Sequence, residues 1–226
     1  IVDADDVGNL ATSVGRGPGV RVLAHVAAVG NAPGGWREVM SVDLLGAHRV
    51  ARAMGPQMVR GGAMVLISST GSYQSPRSPE IDRLLDDPFQ PDFEQELVRA
   101  LGREPDFLEA YFMAKRGINR LARKLAIEWG HMEVRALSVL PGLIDSTMGR
   151  TGGTALPVYD GGEKRLGSRA EKAVIEVPLG RQGTLQEVVA VVEFVASDAA
   201  SFLNGIEIAV DGGSSALWRS RGITGR

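Results

Sequence analysis

Four short apolar runs, each closing on small residues and each separated from the next by a helix-length stretch, restrict this chain more than any other feature. They are "VRVLAHVAAVG" (20–30), "GGAMVLISSTG" (61–71), "EVRALSVLPG" (133–142) and "GIEIAVDGG" (205–213). Nearly unbroken, valine-rich runs of this length suit strands buried on both faces of a parallel sheet. Between them the period becomes helical over 36–59 and 109–130, and "TLQEVVAVVEFVAS" (184–197) opens with Thr184 and Glu187 at the spacing of a capping box. Strand–helix–strand repetition with right-handed crossovers predicts an α/β fold built on a doubly wound parallel sheet. Ligands of such sheets lie beyond the carboxyl ends of the strands. Here those ends carry Ala27-Ala28, Ser68-Ser69 and Pro141-Gly142, so three strands aim small residues at one crevice.

Composition narrows the chemistry. The 226 residues are 44% hydrophobic with a formal charge of −2, which suits a single domain over 1–226 with an ample core and no internal repeats. There is no cysteine, and His25, His48 and His131 are scattered rather than grouped at ligand spacing, so no metal site is expected. The balanced charge offers no basic stripe for nucleic acid, and no apolar run approaches the ~18 residues of a membrane span. The expectation is a soluble, cytoplasmic protein. The first residue is Ile1, and nothing beside it resembles a signal peptide.

"EAYFMAKRGINRLARKLAIEWG" (109–130) places Tyr111 and Lys115 four residues apart on one helical face, beside an apolar stripe of Ile118, Leu121, Leu125 and Trp129. Ser68 and Ser69 end one predicted strand, and Tyr111 and Lys115 open the helix that feeds the next. The topology can therefore join a hydroxyl, a phenol and an ammonium. A nearby cation favours the ionised form of a phenol, so Lys115 equips Tyr111 as general acid or base for a carbonyl/alcohol pair. A serine hydroxyl would hydrogen-bond the same oxygen.

In order along the chain, "VLISSTG", "YFMAK", "VRALSVLPGLIDSTM" and "FLNGIEIAVDGG" resemble the serine strand, Tyr-x-x-x-Lys helix, Pro-Gly loop and closing strand of the short-chain dehydrogenase/reductase family. Within that family the chain is most similar in type to the bacterial 3α-hydroxysteroid dehydrogenase/carbonyl reductases, which also carry a helical insertion between serine and tyrosine. The resemblance implies a Rossmann-like fold and an oxidoreductase that interconverts a small-molecule secondary alcohol and a ketone with NAD or NADP. It makes Ser69 the substrate-orienting serine, Tyr111 the acid/base, and Lys115 the holder of the nicotinamide ribose. It also places Ala27, Ala28, Pro141 and Gly142 against the cofactor, Ile144 at its carboxamide and Ser146 at its pyrophosphate. The family's pairing through the helices at 36–59 and 109–130, both of which carry more apolar surface here than one core needs, implies a homodimer or homotetramer of two-fold symmetry.

Departures from the pattern matter as much. The family's Asn-Asn-Ala-Gly becomes His25-Val26-Ala27-Ala28, and its helical asparagine falls on Asp43. An ionised Asp43 would stabilise charged Lys115, partly cancel its pull on Tyr111 and slow catalysis at neutral pH. Alternatively, Asp43 bonds backbone at a helix irregularity. No glycine turn for a pyrophosphate precedes residue 20, because "GRGPG" (15–19) stands before a strand rather than between strand and helix. "IVDADD" (1–6) resembles the family's third strand, with Asp3 its adenine-contacting aspartate, so the first β-α-β segment, roughly 50 residues, is expected to be missing from the given chain. A non-redox relative that binds a ligand or does proton-transfer chemistry without a dinucleotide is the alternative. Residues 75–109 predict two short amphipathic helices, as a substrate lid or as a surface or oligomer-packing decoration. Residues 149–170 match the family's mobile substrate loop, and 216–226 form a basic tail expected to be exposed or to pack on a neighbouring subunit.

Overall fold

In the computed structural model, which describes residues 1–29, 32–146 and 177–222, the four apolar runs form one parallel sheet. The elements are α1 (Ala4–Val14), β1 (Val20–His25), α2 (Gly35–Val39), α3 (Gly46–Met54), β2 (Met58–Ile67), α4 (Pro79–Asp86), α5 (Phe93–Leu101), α6 (Phe107–Trp129), β3 (Arg135–Pro141), α7 (Leu185–Ala196), β4 (Glu207–Val210) and α8 (Ser214–Ser220). The strands lie in the order β1-β2-β3-β4, with Leu23 beside Met64, Val65 beside Leu137 and Val139 beside Ile208.

Successive side chains of a strand point to opposite faces, and β2 shows the consequence. Met64 and Leu66 pack with Ala47 and Ala51 of α3 and with Ile118, Leu121 and Leu125 of α6. Val65 faces the other way, into a cluster with Leu137, Val139 and Val195 of α7. Helices therefore cover both faces, and the doubly wound α/β architecture is the one observed. Among the described residues β1 has no strand on its outer side. Among the described residues Arg21, Val22 and Ala24 of β1 are exposed, while His25 at its end is buried.

Two further expectations are corrected. Residues 1–6 form no strand: Asp3 caps α1, its carboxylate accepting from the amides of Asp5 at 2.8 Å and Asp6 at 3.0 Å. A side chain that satisfies free amide donors at a helix start outweighs the short apolar pair Ile1-Val2. The stretch 36–59 is not one regular helix either. Between α2 and α3 the backbone widens into a π-helical turn over Met40–Leu45, and Pro56 sits in a 3₁₀ turn that releases the chain into β2. The segment Gly15–Gly19 is a turn between α1 and β1, as expected.

The insertion forms its two helices, α4 and α5. Their Ile81, Leu84, Leu85, Phe93 and Leu97 share a core with Trp36, Val39 and Met40 and with Ala110 and Met113 of α6. Gly117 lets α6 approach the π-helical turn, since a Cβ there would stand 2.3 Å from Leu44 Cδ1. The apolar residues of α3 and α6 lie inside the fold, with Ile127 the one large exposed exception on these helices, so they show no surplus for pairing subunits. The large exposed apolar side chains Leu185, Val189, Phe194 and Phe202 lie instead on and after α7. Part of the expected tail is α8, anchored by buried Trp218, and the loop at 149–170 lies outside the described residues. Among the described residues no helix is long and apolar enough to cross a membrane.

Candidate active site

The end of β2 and the first turns of α6 meet at the carboxyl edge of the sheet. An Asp106/Glu109 capping box starts α6 and fixes where Tyr111 and Lys115 fall. Ser68 and Ser69 divide the work there. Ser68 is buried and donates from Oγ to the backbone oxygen of Lys115 at 2.8 Å, tying helix to strand. Ser69 is half-buried, and its Oγ accepts from the Gly71 amide at 3.1 Å, which leaves its hydroxyl proton available. Period-two alternation predicts this split between neighbouring serines, but the sequence reading assigned no role to Ser68.

Lys115 is 2% exposed, an ammonium taken almost wholly out of water. Its Nζ lies 3.2 Å from Asp43 Oδ2, a long 3.5 Å from the Ile67 carbonyl and 5.4 Å from the centre of the Tyr111 ring. Asp43, fully buried on the π-helical turn, accepts at Oδ1 from the Val29 amide at 2.9 Å. The ion pair with Lys115 and the backbone bond are thus present together at Asp43. The Val29 amide is a partner that no motif announces. His25 is buried at the end of β1, and its Nε2 has no partner. Burial, helped by the Lys115 charge, pushes its pKa down to about 4, so it is neutral near pH 7.

The neighbouring loops complete the edge. Thr70 Oγ1 reaches the Pro141 carbonyl at 3.4 Å, linking the serine loop to the Pro-Gly loop, and the Gly142 amide bonds Val210 at 3.0 Å. Ile144 forms an isolated parallel bridge with Gly183, through Gly183 N to Leu143 O at 3.0 Å and Asp145 N to Gly183 O at 2.8 Å. In that pattern the neighbours' groups make the bonds, and among the described residues the amide and carbonyl of Ile144 itself stay open. Ala27 and Ala28 follow β1, and half-buried Ser146 closes the described part of the loop after β3. Asp3 is not brought into this group; it is exposed at the amino end of α1, where two amides hold its carboxyl below the usual range.

These residues fit the nicotinamide half of a dinucleotide. An ammonium has three donors, and only two directions at Lys115 are taken, one of them by a long bond, so a ribose hydroxyl can be held there. The open amide and carbonyl of Ile144 match the acceptor and donor of a carboxamide. Among the described residues no glycine turn joins a strand to a helix start for the pyrophosphate.

Residues 98–215 match the family model described as enoyl-(acyl carrier protein) reductase. The chain is 28% identical to 3-alpha-hydroxysteroid dehydrogenase/carbonyl reductase of Comamonas testosteroni over 97% of its own length and 86% of that protein's. It is also 28% identical to the peroxisomal 2,4-dienoyl-CoA reductase of Saccharomyces cerevisiae over 80% of its length, and there spans about half of the relative, 49%. A short-chain type dehydrogenase/reductase from Mycobacterium ulcerans shares the fold with a TM-score of 0.69 at 23% identity, over 95% of this chain and 68% of that one. With the serine strand, the Tyr-x-x-x-Lys helix and the open loop after β3 all at one sheet edge, the chain belongs to the short-chain dehydrogenase/reductase family.

Proposed function

We propose that this chain interconverts a secondary alcohol and a ketone, with NAD or NADP as the hydride carrier. The observation that supports it best is the buried Lys115 ammonium beside Tyr111, at the edge where Ser69 presents an unengaged hydroxyl proton. In the reductive direction Ser69 donates a hydrogen bond to the substrate carbonyl oxygen, and Tyr111 gives that oxygen its proton as the C–H bond forms. The bound dinucleotide supplies the hydride. Lys115 holds a ribose hydroxyl and stabilises the negative charge that develops on the phenol oxygen. Ile144 would take the carboxamide through its backbone, with Ala27, Ala28, Pro141 and Gly142 as close-approach surfaces, Ser146 toward the pyrophosphate and Asp3 toward the adenine.

A second reading, a relative that binds a ligand or moves a proton without a dinucleotide, draws on one observation. The glycines of 15–19 lie in a turn that runs from α1 into β1, not from a strand into a helix start. The full-length protein, titrated with NADH and NADPH and then offered a panel of ketones, separates the two. Saturable binding of a reduced cofactor with turnover of at least one ketone supports the oxidoreductase; no binding of either cofactor rejects it in favour of the second reading. The homodimer or homotetramer is part of the proposal, and light scattering showing only monomer at micromolar concentration would contradict it.

A further inference from the structure

The charge of the proton-transfer site distinguishes this chain from the pattern it resembles. An uncharged amide is expected at position 43, and a fully buried carboxylate stands there, 3.2 Å from the Lys115 ammonium. The Val29 amide at 2.9 Å and the π-helical turn fix its orientation. Among the described residues, Lys115 of α6 pairs with it, the centre of the Tyr111 ring lies 5.4 Å from Lys115 Nζ, and His25 of β1, which feels the Lys115 charge, is neutral because burial and that charge depress it to about 4. Ser68 and Ser69 after β2 carry no charge. Asp43 and Lys115 therefore sum to zero in a place from which water is excluded.

We infer that Asp43 is a positioning residue that cancels the Lys115 charge, keeping Tyr111 a proton donor and biasing the site toward carbonyl reduction at neutral and mildly alkaline pH. This rests on the reading of Tyr111 as the proton-transfer group. A lone buried cation favours the phenolate, which is the form that takes a proton from an alcohol. A neutral pair withdraws that support and favours the phenol, the form that gives a proton to a ketone. No residue changes the overall equilibrium; Asp43 changes the pH range in which each direction is fast. At an effective dielectric near ~20, one unit charge on the order of 9 Å away moves a titration by about one pH unit.

The test is a tyrosinate absorbance titration of the full-length protein, with the matching Tyr111→Phe protein subtracted, in wild type, Asp43→Asn and Asp43→Glu backgrounds. Asparagine keeps the size and the acceptor for Val29. The Tyr111 transition is expected to move down by about one pH unit or more in Asp43→Asn and to stay near wild type in Asp43→Glu. Equal transitions in wild type and Asp43→Asn overturn the inference. If Asp43→Asn alone does not fold, the pair Asp43→Asn/Lys115→Gln removes both charges; Lys115 Nζ lies nearer the ring than the Asp43 carboxylate, so its Tyr111 transition is expected to rise by only about one unit. A rise of about two units or more, what an uncompensated lysine would cause, overturns the inference equally. Alongside, the pH profile for alcohol oxidation is expected to shift to lower pH in Asp43→Asn by the same amount. The absorbance titration reads Asp43 whether or not a substrate turns over, whereas absence of turnover on every ketone and alcohol counts against the proposed function alone.

Discussion

Helix α6 carries two sets of carboxylate–cation contacts on neighbouring residues, and they differ in nearly everything but charge. Lys115 turns inward to Asp43, the two side chains 2% and 0% exposed. Arg116, the next residue, turns outward to Asp82 of the insertion, and Arg120 bridges Asp82 at 2.9 Å and Asp86 at 2.5 Å, with exposures between 12% and 42%. Coulomb attraction operates at both. What separates them is the cost of desolvation: removing one partner of a buried pair strands a charge without water, while removing one partner of a half-exposed pair returns the other to solvent. The inward pair belongs to the site, and the outward set lies along the seam between the insertion and the helix.

The largest effect should come from breaking the inward pair. Asp43→Ala is expected to cost ~3–5 kcal/mol of stability, since Lys115 would lose its counter-charge and the Val29 amide its acceptor. Denaturant unfolding measures this, and a loss below about 1 kcal/mol would show that water reaches Lys115 after all.

The insertion owes its attachment to apolar packing rather than to its ion pairs. Leu85 is fully buried in the cluster shared with α2 and α6, so Leu85→Ala is expected to cost ~2–5 kcal/mol in the same assay. A negligible change would make α4 and α5 a loose decoration.

Acid should act on the inner region. His25 and His48 are both buried, and each is pushed down to about 4 chiefly by that burial. Their folded values lie below the unfolded value of ~6.5, so the unfolded chain binds more protons between these limits, and stability is lost as pH falls from about 6.5 to 4. The loss is up to ~3 kcal/mol for each histidine. Melting temperature followed against pH is expected to fall across that window, less steeply in His25→Gln. A flat profile would mean that neither ring is buried in solution.

The smallest effect belongs to the outward set. Arg120→Ala should cost no more than about 1 kcal/mol and less in high salt, since these side chains are only partly shielded. A cost as large as that of Asp43→Ala would erase the distinction between the two sides of α6.

Periodicity alone yielded the parallel sheet, α6, α7 with its Thr184/Glu187 box and the two helices of the insertion, because burial repeats with the geometry of each element. That Ser69 ends a strand beside the helix carrying Tyr111 and Lys115 was legible because spacing on one helix and the end of one strand are local facts. The π-helical turn left no mark on the apolar period, since it widens the helix by one residue; only the alternative of a helix irregularity at Asp43 pointed to it, and the turn carries that residue. The strand expected over 1–6 was misread for a related reason: Ile1-Val2 looks like the end of a strand, and only the cap geometry shows that the Asp3 carboxylate starts a helix. The apolar surface of α3 and α6 looked surplus because a sequence does not show that the insertion and the sheet between them cover it.

The assignment of proton transfer to Tyr111 is tested most directly by the steady-state turnover of Tyr111→Phe on a ketone that the wild-type protein reduces. The ring is 6% exposed and keeps its packing in phenylalanine, so fold and cofactor affinity should stay close to wild type. Loss of the hydroxyl should lower turnover by about 10²–10⁴-fold. Turnover equal to wild type, in a protein that binds cofactor normally, would contradict the role given to Tyr111 and with it the chemistry proposed for this site.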